Sequence, residues 1–295
     1  MTPRDIALAL GVVIVWGLNF VAIHWGVAEV QPLLLSGLRY VVAAVPAILF
    51  VKRPQVALWI LIAYGLAVGV GQFGLLFSAI KLGMPAGLAS VVVQVQAFFS
   101  IALAVLFLGE RPKLSSLLGA LIAFIGIGVI GYERLEGAAL VPLLMTILAA
   151  AAWGIANLVT KWAGRIDMLG FVVWSSLVPP LPMFALSFFI EGPSAWPSAI
   201  AGLTWLGIGS LLFIGWASTL FGYGGWSVLL SRYPASTVAP FALLVPVTGI
   251  GASALLLGER ISGFETIGCV LIFFGLLLNV FGPRMFGRAS SAPAG

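Results

Sequence analysis

Charge is what this sequence has least of. Asp, Glu, Lys and Arg make up 8% of its 295 residues, against about 25% in an ordinary soluble protein. The 14 basic and 9 acidic side chains cannot clothe a water-soluble fold of this length, so the surface must be solvated by lipid. Cysteine and histidine are nearly missing, with Cys269 and His24 standing alone. One thiol excludes an internal disulfide and a Cys-based zinc site. One imidazole removes His-rich metal centres and most His-based catalytic schemes. Neither a metal nor a cofactor is expected. The net charge of +5 comes from basic residues scattered singly, without the patch that tracks a phosphate backbone, which excludes nucleic acid as a partner. Intramembrane proteolysis needs a Ser–His pair, an Asp pair or a metal motif inside the apolar segments. The sequence offers none, so no enzyme is expected.

What is present is apolar sequence: 62% of the residues are hydrophobic. A spanning helix takes about 20 such residues, and the apolar stretches between charges have that length. They run 6–23, 30–51 with Arg39 inside, 54–80, 82–109, 114–132, 137–160, 168–190, 192–231, 233–258 and 266–283. The predicted fold class is therefore an all-α integral membrane protein with ten transmembrane helices. The eighth stretch has room for two short spans, but its start, Gly192-Pro193-Ser194-Ala195-Trp196-Pro197, reads as loop, and one span is expected. The first stretch exceeds the apolar core of a signal peptide, lacks an Ala-x-Ala exit, and is expected to stay as a span. Lys and Arg in the short loops set the orientation. With the N-terminus inside, Arg4, Lys52, Arg53, Arg111, Lys113, Lys161, Arg165, Arg232, Arg284 and Arg288 lie inside, against Lys81, Arg134 and Arg260 outside. Both termini are thus expected in the cytoplasm.

The chain also repeats itself. Gly109-Glu110-Arg111 recurs as Gly258-Glu259-Arg260, a shift of 149 residues. The same shift carries Pro85-Ala86 onto Pro234-Ala235, Gly119 onto Gly268 and Gly126 onto Gly275, while Trp16-Gly17 matches Trp153-Gly154 at a shift of 137. Each half holds five spans, an odd number, so the second half enters the membrane from the opposite side. Two inverted five-helix repeats are expected, 5–132 and 138–283, in one domain, followed by a short cytoplasmic tail, 284–295. Inverted repeats enclose a shared site near the midplane and work by alternating access.

Several motifs resemble one known group. Val15-Trp16-Gly17-Leu18-Asn19-Phe20, Gly37-Leu38-Arg39-Tyr40, Gly83 to Ser90, and Leu244-Val245-Pro246-Val247 ahead of Gly258-Glu259-Arg260 are similar to the EamA family of the drug/metabolite transporter superfamily. The likeness runs along essentially the whole chain, and Gly83–Ile101 is most like the cysteine and O-acetylserine exporter branch. Aromatic amino-acid exporters share the architecture. The resemblance implies ten helices, a bacterial inner-membrane location, and export of amino acids or related small metabolites.

A polar side chain inside a span is costly and faces a cavity or another helix. Trp16, Asn19, Phe20, Ile23 and His24 share one helical face, as do Trp153, Asn157 and Lys161 in the repeat mate. Asn19 and Asn157 each offer a donor and an acceptor that suit an amino-acid backbone, or that bond a neighbouring helix. Arg39 lies deep in its span; its guanidinium either clamps a substrate carboxylate or snorkels to Glu29 or lipid phosphate. Trp216, Thr219, Tyr223 and Trp226 follow i, i+3, i+7, i+10 and fall on one face, and such a face can hold an ammonium. Gln72, Gln94 and Gln96 are the remaining deep polar groups. About 200° of α-helical turn separates Gln94 from Gln96, so one of the two is expected to be structural. The candidate substrate contacts are Trp16, Asn19, Arg39, Gln72, Gln94, Trp153, Asn157, Trp216, Tyr223 and Trp226. With no carboxylate at a span centre, obligatory proton coupling is not expected. A different solute class, an organic cation or a sugar phosphate, is the alternative.

Overall fold

A computed structural model of the protein describes residues 1–135, 140–164 and 166–286. Glu136 and Gly137, Arg165, and the tail from residue 287, with Arg288, lie outside them. Regular structure among the described residues is helical throughout, with no strand. The bilayer imposes this: without water, each backbone N–H and C=O needs a partner within its own segment.

Ten helices follow one another: α1 Pro3–Glu29, α2 Pro32–Ala47, α3 Leu58–Lys81, α4 Ala86–Leu108, α5 Leu114–Glu133, α6 Leu140–Ala163, α7 Met168–Glu191, α8 Trp205–Arg232, α9 Thr237–Leu257 and α10 Gly263–Phe286. Nine are long and apolar enough to span a membrane, and α2, with 16 residues, is shorter. One span occupies the stretch after Gly192, preceded by a short helix, Ala195–Gly202. Local chemistry sets the ends. Thr2, Asp167 and Thr204 cap the starts of α1, α7 and α8 with side-chain oxygens. Gly109 and Gly258 stop α4 and α9 in the left-handed conformation, at φ of 65° and 66°.

Polar bonds gather the helix ends into two faces. On one, Glu259 binds the start of α4, Glu191 the start of α2, Glu29 the start of α8, and Arg134 pairs with Glu265 at the start of α10. On the other, Asp5 meets Arg232 and Tyr233, and Glu110 meets Lys161. Glu110 and Glu259 therefore sit at opposite ends of α4. The two Gly-Glu-Arg turns emerge on opposite faces.

Helices α5 and α10 pack closely through glycine, and the contact is reciprocal. A Cβ on Gly119 would meet the Gly275 carbonyl at 2.5 Å, and one on Gly126 would meet the Gly268 carbonyl at 2.7 Å. Gly268 and Gly275 likewise face the carbonyls of Gly126 and Gly119. Each glycine thus packs on the repeat mate of the other, Gly119 on Gly275 and Gly126 on Gly268, across an antiparallel crossing.

Five helices depart from α winding: α7 is broken after Ser175 and π-helical over Ser187–Glu191, and the departures in the other four border the interior site. α3 is π-helical over Leu66–Gly74 and α8 over Phe213–Phe221. A shift of 149 places the first on 215–223, almost on the second. α4 tightens to a 3₁₀ turn at Val93–Val95, and α9 is interrupted at Leu243. π segments frequently mark functional sites because they re-aim side chains that regular winding would hide.

Candidate functional site

Between the helices lies a cavity of about 380 Å³, within the range of small-molecule sites. It reaches Thr160, Met168 and Leu230, near the ends of α6, α7 and α8 on the Glu110 face. Toward the Glu259 face it stops beneath a tightly buried apolar plug that includes Ile23, Val27, Phe77, Ile80, Met84 and Leu88.

Arg39 stands on the cavity wall, 2% exposed. It does not snorkel. Its Nη2 donates to Thr219 Oγ1 at 3.0 Å, and the guanidinium lies 3.9 Å from the centroid of Phe73, with Tyr40 and Phe77 at 4.9 and 5.7 Å. Cation–π contacts offset part of the cost of burying this charge, by about 2 kcal/mol or more when desolvated. Nε and Nη1 remain buried without a partner, an arrangement that proteins avoid unless a ligand completes it. Glu29, the alternative counter-ion, is instead taken by the backbone N–H and hydroxyl of Thr204.

The remaining polar groups are neutral. Asn19 Oδ1 and Gln72 Oε1 are buried with no partner. Gln94 Nε2 donates to the Ala242 carbonyl at 3.3 Å, across to the break in α9. Asn157 Nδ2 donates to Gln96 Oε1 at 2.7 Å and to Ser100 Oγ at 2.9 Å. Trp16 binds the Ser218 carbonyl through Nε1, and its ring lies 5.6 Å from that of Tyr223 and 5.2 Å from that of Trp226. Gly222 leaves room for the Trp16 indole; a Cβ there would collide with Nε1. Among the described residues no Asp or Glu lines the cavity.

The sequence pattern of the EamA-like transporter family matches residues 4–132 and again 140–281. The chain belongs to this family. It is a multi-span membrane transporter and not an enzyme. A relative from Salmonella typhimurium, named as a probable amino-acid metabolite efflux pump, is 44% identical over 97% of this chain and 97% of its own. One of the same name from Escherichia coli is 43% identical over 96% and 97%. A chain of known crystal structure, 19% identical, shares the fold over 99% of this chain and 100% of that one, with a TM-score of 0.64.

Within this EamA fold, nine of the ten candidates meet at the cavity: Trp16, Asn19, Arg39, Gln72, Gln94, Trp153, Asn157, Tyr223 and Trp226. Trp216 does not. It is 47% exposed on the outer surface, and its Nε1 donates to the Val42 carbonyl. The π segment of α8 explains the difference, since its extra residue rotates Trp216 off the face that bears Tyr223 and Trp226. The expectation that Gln94 and Gln96 must diverge is likewise corrected, because both line the cavity. The 3₁₀ turn brings the two about 40° closer around the helix than α winding would, at three residues per turn. Sequence reasoning passed over Tyr64, Phe73, Thr160, Met168 and Ser218. The only signal for the first two was the cluster Gly65, Gly69, Gly71 and Gly74 around them.

Proposed function

We propose that this transporter exports amino acids or closely related small metabolites across the bacterial inner membrane, with both termini in the cytoplasm. Two inverted repeats, 5–132 and 138–283, rock about the shared cavity, and the short tail follows from 284. The observation that carries the reading is the buried Arg39 guanidinium with Nε and Nη1 unpartnered beside a cavity of metabolite size. A carboxylate engages such a fork with two parallel bonds. Asn19, Gln72, Gln94 and Asn157 offer neutral hydrogen bonds, and Trp16, Trp153, Tyr223 and Trp226 enclose the body of the solute. The names of the Salmonella and Escherichia relatives support the substrate class.

Export is facilitated, without obligatory ion coupling, because among the described residues no carboxylate lines the cavity to carry a proton. Purified protein in vesicles, loaded with one amino acid and offered the same labelled compound outside, should accumulate label by counterflow. Collapse of an imposed proton gradient should leave this unchanged. Label that enters only under a proton gradient contradicts the coupling, and a protein inert to every amino-acid metabolite contradicts the substrate class. The alternative solutes fit less well: an organic cation would meet Arg39 with no acid to hold it, and a sugar phosphate would find one cation where two are wanted.

A further inference from the structure

On the reading of the cavity as an export site for amino-acid metabolites, we infer that it selects solutes of net negative charge: carboxylates whose amino group is acylated or absent, ahead of the free zwitterion. Charge balance is the reason. Arg39 is the one formal charge on the cavity wall among the described residues, 2% exposed and bonded only to the Thr219 hydroxyl. Acids on the flanking helix ends are committed elsewhere: Asp167, next to the lining residue Met168, caps α7 at Leu169 and Gly170. Glu110 holds Lys161, and Glu259 holds the backbone at Ala86 and Gly87. A bound zwitterion leaves the chamber with the same single positive charge it had when empty. A bound monoanion neutralises it. In a dry chamber an uncompensated charge is the more costly state.

The neutral groups agree. An ammonium brings three donors and a second cation. Its ordinary partners would be a carboxylate or free aromatic faces. The Phe73 and Tyr40 rings already lie against the guanidinium, and Trp16 packs against Tyr223 and Trp226, which leaves an ammonium the rings of Trp153 and Phe20 with no carboxylate beside them among the described residues. An acylated nitrogen instead brings a single N–H, which Asn19 Oδ1 or Gln72 Oε1, both buried and unpartnered, accepts. Its acyl group lies against the apolar wall of Trp16, Phe20 and Leu76.

Four labelled probes of one shape test this in vesicles containing the wild-type protein: leucine, N-acetylleucine, 4-methyl-2-oxopentanoate and leucinamide. Counterflow of N-acetylleucine and the oxo acid should exceed that of leucine by about tenfold or more in kcat/KM, and leucinamide, a cation, should not move. Leucine or leucinamide matching N-acetylleucine overturns the inference while leaving amino-acid export standing. Failure of all four, leucine included, overturns both. Arg39→Gln, if it purifies as a monodisperse protein, should lose the ranking and move the acids no faster than leucinamide; a preserved ranking also overturns the inference.

Discussion

The two Gly-Glu-Arg turns have the same three residues and the same left-handed glycine, yet their glutamates do different things. Glu259 accepts from the backbone N–H groups of Ala86 at 2.7 Å and Gly87 at 2.9 Å, closing over the first turn of α4. Glu110 gives both carboxylate oxygens to Lys161, at 2.7 and 2.9 Å, in a pair whose side chains are 52% and 47% exposed. The first bond joins two helices beside the apolar plug, where Ser253 of α9 packs under Gly87. The second lies near solvent, on the face the cavity approaches. The Glu259 carboxylate thus ties two helices together on its face, whereas the described partner of Glu110 is a half-exposed lysine.

Three changes would break or sharpen this contrast, in descending order of effect. Glu259→Ala removes two charge-assisted bonds to a helix start, worth about 3 kcal/mol together. With Cys269 replaced by Ala, the probe Ser253→Cys should then react with a membrane-impermeant thiol reagent from the Glu259 face about 100-fold faster than with Glu259 present. An unchanged rate leaves the tie without a role in closing this face. Gly119→Ala attacks what the halves share, the crossing of α5 and α10. Its Cβ would meet the Gly275 carbonyl at 2.5 Å, and overpacking of this kind costs about 1–3 kcal/mol. The melting temperature in detergent should fall, while the contrast between the two faces persists. Glu110→Ala breaks only an exposed ion pair, worth about 0–1 kcal/mol. Labelling on the Glu259 face should change by less than about fivefold, and high salt should mimic the substitution.

Much of this was legible because the bilayer simplifies sequence. Charges end spans, so the positions of Glu29, Lys81, Glu133, Lys161 and Glu191 delimit helices almost directly. Deep polar residues have few places to go, which is why Asn19, Gln72, Gln94 and Asn157 converge on one cavity. What failed was the assumption of uniform winding. Trp216 left the predicted face because α8 is π-helical there, and Gln94 and Gln96 joined it because α4 tightens between them. Neither departure has a signature as plain as proline. The partner of Arg39 was equally hidden: Thr219 lies 180 residues away, and only packing of α8 against α2 brings it to the guanidinium.

The most direct test compares two probes placed singly in protein lacking Cys269, Thr160→Cys on the cavity wall and Ser253→Cys beside the Glu259 bonds. An impermeant thiol reagent added without substrate should modify Thr160→Cys from the Glu110 face at least about tenfold faster than it modifies Ser253→Cys from the Glu259 face. Equal rates, or the reverse order, would contradict a chamber that is sealed by Glu259 and approached from the side of Glu110.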